Sequence, residues 1–139
     1  MKTKYILIMC LIALGVTSCS LDDDNNTPLL QLEAVAVTDV EFPEPFVFGE
    51  VNDIIVKYDN PSDCNRFYAF DVRSDLNERE ITVFTSVFDD NDCNDEDVPT
   101  EQVLRFRPIS NGTIEFKFFS GLDEDGEKEF LEYTIDVQE

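Results

Sequence analysis

The residue types with the most potential for chemistry crowd into residues 89–97, a stretch with six acids among nine residues. Carboxylate and amide oxygens are the ligands that calcium prefers in proteins. Asp90, Asp92 and Asn94 fall at the first, third and fifth places of a calcium-binding loop, and Glu101 falls at the twelfth. This spacing makes a calcium site the first hypothesis for the stretch.

The same stretch departs from an EF-hand loop in two places. Its sixth place is Asp95, where an EF-hand needs glycine for its sharp turn, and Pro99 interrupts the loop. Strand-like patterns flank the stretch, so we exclude an EF-hand. A looser calcium site remains a hypothesis, because a divalent cation relieves the repulsion between crowded carboxylates. The alternative is a solvated loop that keeps the edge of the fold from pairing with other chains.

Catalytic residues are not indicated anywhere in the chain. It contains no histidine, which removes the usual general base and the Ser-His-Asp and Cys-His arrangements. Paired carboxylates can hydrolyse glycosides, but that chemistry needs a substrate cleft, and about 110 folded residues leave little material to build one. We therefore predict no enzyme activity and no cofactor other than the hypothetical calcium ion.

The chain begins with a pattern typical of a signal peptide. Residues 1–4 carry two lysines, and residues 5–16 are apolar apart from one glycine and the hydroxyl of Tyr5. A membrane-spanning helix needs roughly 20 apolar residues, so this shorter segment indicates targeting to the export machinery.

Residues 16–19, with the sequence Val-Thr-Ser-Cys, close the apolar segment. They resemble the lipobox of bacterial lipoproteins, in which an aliphatic residue and two small residues precede an invariant cysteine. The resemblance implies that residues 1–18 are removed and that Cys19 carries thioether-linked and amide-linked acyl chains. Several chains make such an anchor durable, whereas a single chain binds only marginally. The alternative is an ordinary signal peptide cut near residues 13–15, with Cys19 a free thiol.

An acidic run follows the cysteine directly. It resembles the export signal of lipoproteins of the Bacteroidota, and its residues are Ser20, Leu21, Asp22, Asp23 and Asp24. The resemblance implies a lipid-anchored outer-membrane protein that is exposed at the cell surface. The alternative is that residues 22–28 are only a solvated tether, because Asp, Asn, Thr and Pro bury little apolar surface. In either case we expect residues 19–30 to form a flexible tether.

Cys64 and Cys93 are the two cysteines left after processing, because Cys10 lies in the leader and Cys19 is the expected lipid site. One pair in a protein exported to an oxidising compartment predicts a disulfide. No histidine or third cysteine is present to complete a zinc site. Closing a loop of about 30 residues stabilises the fold by roughly 3–4 kcal/mol in the chain-entropy model.

The charge of the chain limits its partners. Its formal net charge is −21, and removing residues 1–18 takes away two lysines and no acids, which brings the charge to −23. A surface this acidic repels nucleic acid and anionic headgroups, and it favours cations or basic partners. We therefore exclude nucleic-acid binding.

The remaining sequence reads as short strands separated by turn signals. Alternating apolar and polar residues indicate seven strands near residues 32–41, 51–58, 66–73, 79–88, 101–107, 113–119 and 129–137. We predict an all-β fold over residues 31–139, an antiparallel immunoglobulin-like β-sandwich, with a small open barrel as the alternative. The terminal hairpin is also similar to small flavobacterial-type lipoproteins of unknown function, a resemblance that implies no activity.

These observations favour a lipid-anchored protein that binds a protein or glycan partner without catalysis, or that serves the envelope as an accessory module. A calcium-dependent or carbohydrate-binding sandwich is the alternative. For the carbohydrate alternative, Tyr58, Tyr68 and Phe119 are the candidate exposed aromatic residues.

Overall fold

The structure is a computed structural model that describes residues 31–87 and 92–139. The predicted signal peptide, Cys19, the export signal and Asp90 lie outside these residues. Within them no helix is long and apolar enough to cross a membrane. Eight strands are present: β1 Gln31–Val35, β2 Val37–Glu41, β3 Asn52–Asn60, β4 Asn65–Asp75, β5 Glu78–Val87, β6 Val98–Phe106, β7 Gly112–Leu122 and β8 Lys128–Val137.

The strands form two sheets, which confirms the predicted β-sandwich. One sheet contains five strands, with β5 at its centre pairing β4 on one side and both β1 and β7 on the other, while β8 follows β7 as an edge strand. The second sheet contains three strands in the order β2-β3-β6. Inward-facing residues of both sheets form the core between them, as two facing apolar sheet surfaces require.

The first predicted strand, residues 32–41, is two strands in the structure. β1 pairs with β5 in the larger sheet, and β2 pairs with β3 in the smaller one, with Ala36 between them. A single alternating run in the sequence therefore crosses from one sheet to the other. This crossing accounts for eight strands where about seven were predicted.

One strand pairing differs from the expected antiparallel pattern. β7 pairs with residues 78–81 of β5 in a parallel register, while β1 pairs antiparallel with residues 83–87 along the same edge of β5. The five-residue β1 thus occupies the half of that edge that β7 leaves unpaired. The other strand pairings are antiparallel among the described strands.

The strand registers define two ends of the sandwich. At one end, which we call the N-terminal end, lie Gln31, Asn60, Asn65, Val87, Val98 and the β7–β8 hairpin loop. At the opposite end, which we call the far end, lie residues 41–52, the β4–β5 turn at residues 75–78, residues 106–112 and the end of β8. The first described residue, Gln31, therefore lies at the same end of the sandwich as the acidic loops.

The core is most aromatic toward the far end. Phe116 on β7 is fully buried, and its ring centroid lies 5.1–6.2 Å from the centroids of Phe42, Phe46, Phe106 and Phe118. These rings come from both sheets and from the loop after β2, so Phe116 joins three parts of the chain. Aromatic pairs at such distances add about 0.5–1.5 kcal/mol each beyond the burial of their area.

Replacing Phe116 by alanine should lower the free energy of unfolding by about 3–5 kcal/mol, because the change removes a buried ring and leaves a cavity. Urea unfolding of the full-length chain measures the loss. The matched control is Ile109→Ala, whose side chain is 84% exposed and whose loss should stay within about 0.5 kcal/mol. Equal losses in the two variants would contradict the described core.

Candidate functional site at the acidic N-terminal end

The predicted disulfide between Cys64 and Cys93 is confirmed. The two Cα atoms lie 5.6 Å apart, within the usual range for a bridge. Cys64 directly precedes β4, and Cys93 lies in the loop between β5 and β6. The bridge therefore ties a loop to a strand end and leaves the two sheets covalently unlinked.

Asp63 and Asn94 form a second link beside the disulfide. The backbone N–H and the side-chain amide of Asn94 donate to the two carboxylate oxygens of Asp63, each at 2.9 Å, and the Asp63 N–H donates to the Asn94 carbonyl at 3.3 Å. These donors stabilise the charged carboxylate, so the backbone N–H of Asn94 and then its side chain hold the pKa of Asp63 below its ordinary value. The acidic loop is thus fixed to the segment before β4 at two neighbouring points.

The residues of the calcium hypothesis do not converge on a common point in the described part of the chain. Asn94 is bonded to Asp63, Glu101 lies on β6 opposite Lys57, and Asp92 is exposed in a turn. Asp90, the remaining ligand of that hypothesis, lies outside the described residues. The calcium site therefore stays a prediction.

Among the described residues, one group of three acidic or cysteine side chains has its ligand atoms within 4.8 Å of one another: Asp63, Cys64 and Cys93. Its two sulfurs are joined in the disulfide, and only a thiolate is a good metal ligand. This group therefore does not supply a metal centre while the bridge is intact.

Polar side chains fill the interior of the N-terminal end. The Asn65 side-chain amide donates to the Thr85 hydroxyl at 2.9 Å and to the Glu33 carboxylate at 3.2 Å, while the Ser62 hydroxyl donates to the Asn65 side-chain oxygen Oδ1 at 2.7 Å. Ser62, Asn65 and Thr85 are all buried. Because they bond to one another, they fix the loop before β4 and offer few free groups to a ligand in the shallow cleft above them.

Two further polar groups in this half of the core lack partners. Neither the Tyr58 hydroxyl nor the Asn60 side-chain oxygen has a hydrogen-bond partner in the part of the chain that the structure describes, although both atoms are buried. Burial also disfavours the charged phenolate, so it raises the pKa of the Tyr58 hydroxyl. A buried polar group without a hydrogen-bond partner costs about 1–3 kcal/mol of folding free energy.

The aromatic residues suggested for carbohydrate binding are mostly buried. Tyr58 is 1% exposed and Phe119 is 8% exposed, so neither can stack on a sugar. Tyr58 faces inward because it alternates with Ile54 and Val56 on the core side of β3. Tyr68, 52% exposed on the edge strand β4, is the remaining candidate. One isolated ring is a weak platform for a glycan.

A cleft at the far end was not predicted from the sequence. It has a volume of about 560 Å³ and lies between residues 42–46 and the last residues of β8. The sequence holds a signal for it, since Pro43 and Pro45 interrupt any strand pairing just after β2. The prolines leave part of a neighbouring strand unpaired. Alternation along the chain does not give the order of the strands in a sheet, so it could not show which strand this is.

Comparisons with known proteins assign no family. No protein-family model matches the chain, and searches of the curated proteins and of the solved structures give no match. Its function therefore has to follow from its own residues and their arrangement.

The Asp63–Asn94 link predicts a titration that can be measured by NMR on the full-length chain. The pKa of the Asp63 carboxyl should lie below its ordinary value of 3.8. Because the folded pKa is lowered, the link stabilises the fold above the unfolded pKa, and this contribution is lost as the pH falls through the folded pKa.

Replacing Asn94 by alanine removes the side-chain donor and keeps the backbone N–H, so the pKa of Asp63 should rise part of the way to 3.8. The control is Asn111→Ala, because the Asn111 amide contacts only Glu139 among the described residues. An Asp63 pKa that is the same in the wild type and in the Asn94→Ala variant would show that the link does not form in solution.

Proposed function

We propose that this chain is a lipid-anchored lipoprotein of the outer membrane, exposed at the cell surface, whose β-sandwich binds a partner without catalysis. The observation that carries the proposal is Cys19, which stands directly after a short apolar leader and two small residues and directly before an acidic run. The sandwich then supplies what such a lipoprotein displays, a folded module on a polar tether.

The geometry supports an orientation for the anchored protein. β1 begins at Gln31, at the N-terminal end, so the tether joins the sandwich beside the acidic loop that carries Cys93. The twelve residues 19–30 can reach at most about 40 Å. Repulsion between the acidic protein and anionic headgroups favours an extended tether. Because the tether joins the N-terminal end, the far end lies on the side of the sandwich opposite the anchor.

The far end has the surface character expected of a binding module. Leu76 is 92% exposed at the tip of the β4–β5 turn, and Ile109 is 84% exposed in the loop between β6 and β7. Their loops are held in place, since Arg79 donates to the Leu76 carbonyl at 2.9 Å and the Gly49 N–H donates to the Pro108 carbonyl at 3.0 Å. Exposed apolar side chains on fixed loops offer a protein partner hydrophobic contacts without a cost for ordering the loops.

Replacing Cys19 by alanine should move the protein from the membrane fraction to the soluble fraction, because no acyl chain can then be attached. Fractionation of cells followed by a high-salt wash measures the change. The control is Cys10→Ala in the leader, which should leave the protein in the membrane fraction. Membrane association of the Cys19→Ala protein after the wash would overturn the proposal.

Surface exposure is tested separately from anchoring. Replacing Asp22, Asp23 and Asp24 together by alanine should keep the protein in the membrane fraction but protect it from protease added to intact cells. The control removes three acids elsewhere, at Glu124, Asp125 and Glu127, and should remain protease-sensitive. Equal sensitivity of both variants would restrict the acidic run to the role of a tether.

A further inference from the structure

β8 is an edge strand of the five-stranded sheet, and the side of β8 that faces away from β7 is unpaired along most of its length. It pairs only with β7 among the described strands. Near its end, the Gln138 N–H donates to the Phe46 carbonyl and the Gln138 carbonyl accepts from the Phe48 N–H, both at 2.8 Å. The backbone groups of Gln138 therefore point away from β7.

The direction of the neighbouring backbone groups follows from strand geometry. Successive residues of a strand direct their N–H and C=O groups to alternate sides. Asp136 and Thr134 therefore present these groups on the same side as Gln138, whereas Val137 and Ile135 face β7. Thr134 and Asp136 offer two unused donor and acceptor pairs in the direction in which a further strand would add.

A segment of the protein itself pairs with this edge at one residue, Val47, and the residues before it turn away from the edge. Val47 forms a parallel bridge with Gln138, but the pairing does not continue toward Asp136. The chain bends at residues 44–45, and Pro43 and Pro45 hold φ at about −65°, so the segment before Val47 does not extend the ladder. Instead, residues 42–46 turn toward the core, where Phe42 and Phe46 pack on Phe116.

Because residues 42–46 turn away from the edge of β8, a cleft of about 560 Å³ lies between them. This volume suits a short peptide segment. One wall is the unpaired edge at Thr134 and Asp136, and the floor is formed by Phe42, Phe46 and Ile135. Glu44 and Asp136 place two exposed carboxylates at its rim. Asp136 also accepts a hydrogen bond from the Thr113 hydroxyl at 3.0 Å, which leaves its second oxygen available.

We propose that this cleft binds an extended peptide segment of a partner protein, which adds to the edge of β8 as a further strand. The segment carries an apolar side chain for the aromatic floor and a lysine or arginine for Glu44 and Asp136. Strand addition supplies the affinity through backbone hydrogen bonds, and the alternate side chains supply the specificity. The basic residue follows from charge complementarity, since the cleft and the chain as a whole are acidic.

The inference deepens the binding role proposed above, and it rests on that proposal only for the orientation of the cleft away from the membrane. Its test uses purified protein, so it can fail while the anchoring experiments succeed, and the reverse also holds.

The test starts from random heptapeptides displayed on phage, selected against the full-length protein in detergent. We expect enriched peptides that combine a lysine or arginine with β-branched or aromatic residues. The Glu44→Lys/Asp136→Lys double variant should bind them about tenfold more weakly or worse. The control variant, Glu124→Lys/Asp125→Lys, changes the net charge equally at the opposite end and should bind them within about twofold.

This control separates the cleft from general attraction of basic peptides to an acidic protein. Equal weakening in the two double variants, or no enrichment at all, would overturn the proposal. Binding of a second copy of the chain instead of a foreign segment would appear in sedimentation as a dimer that the Glu44→Lys/Asp136→Lys variant loses, and it would also overturn the proposal.

The binding mode has a test that leaves the protein unchanged. An enriched peptide is synthesised with N-methyl groups on alternate backbone nitrogens, in two versions of opposite parity. In an added strand only one set of N–H groups faces β8, so one version should lose binding and the other should keep it. Equal affinity of the two versions would show that the peptide binds through its side chains alone and would contradict strand addition.

Discussion

The burial of Phe116 between the two sheets is the interaction on which the rest of the structure depends. Its ring meets Phe106 of the smaller sheet as well as Phe42 and Phe46 of the loop after β2. The same contacts hold residues 42–46 against the core and away from the edge of β8. The cleft at the far end is therefore a consequence of core packing, since the hydrophobic gain from packing Phe42 and Phe46 against the core fixes the position of residues 42–46 beside β8.

The opposite half of the sandwich is held together by different forces. Its interior contains the polar side chains of Asn60, Asn65 and Thr85 beside the ring of Tyr58, and two of its buried polar atoms have no partner in the described part of the chain. Carboxylates in the loops of this end also repel one another. The Cys64–Cys93 bridge and the Asp63–Asn94 link offset these costs by tying the acidic loop to the segment before β4. The covalent bond thus lies at the end of the sandwich whose interior is the more polar.

Alternation along the chain was enough to predict the strands and the sandwich, because period-2 patterning decides which residues face a core. In the strand predicted near residues 113–119, Ile114, Phe116 and Phe118 alternate with charged residues, and the structure buries all three. The expected export to an oxidising compartment and the two cysteines left after processing were enough to predict the disulfide. Alternation could not show that one run crosses between sheets at Ala36, or that β5 and β7 run parallel, because both depend on contacts between distant residues. The edge of β8 was missed for the same reason, and Tyr58 was misplaced because an aromatic ring with a hydroxyl suits either a surface or a core.

The central claim is that β8 keeps an unpaired edge beside residues 42–46, and amide hydrogen exchange tests it directly. Measured by NMR on the full-length protein, the N–H groups of Ile135 and Val137, which bond to β7, should exchange slowly, whereas those of Thr134 and Asp136 should exchange quickly. Slow exchange at all four residues, in the absence of any peptide, would show that the edge is already paired and would contradict the account.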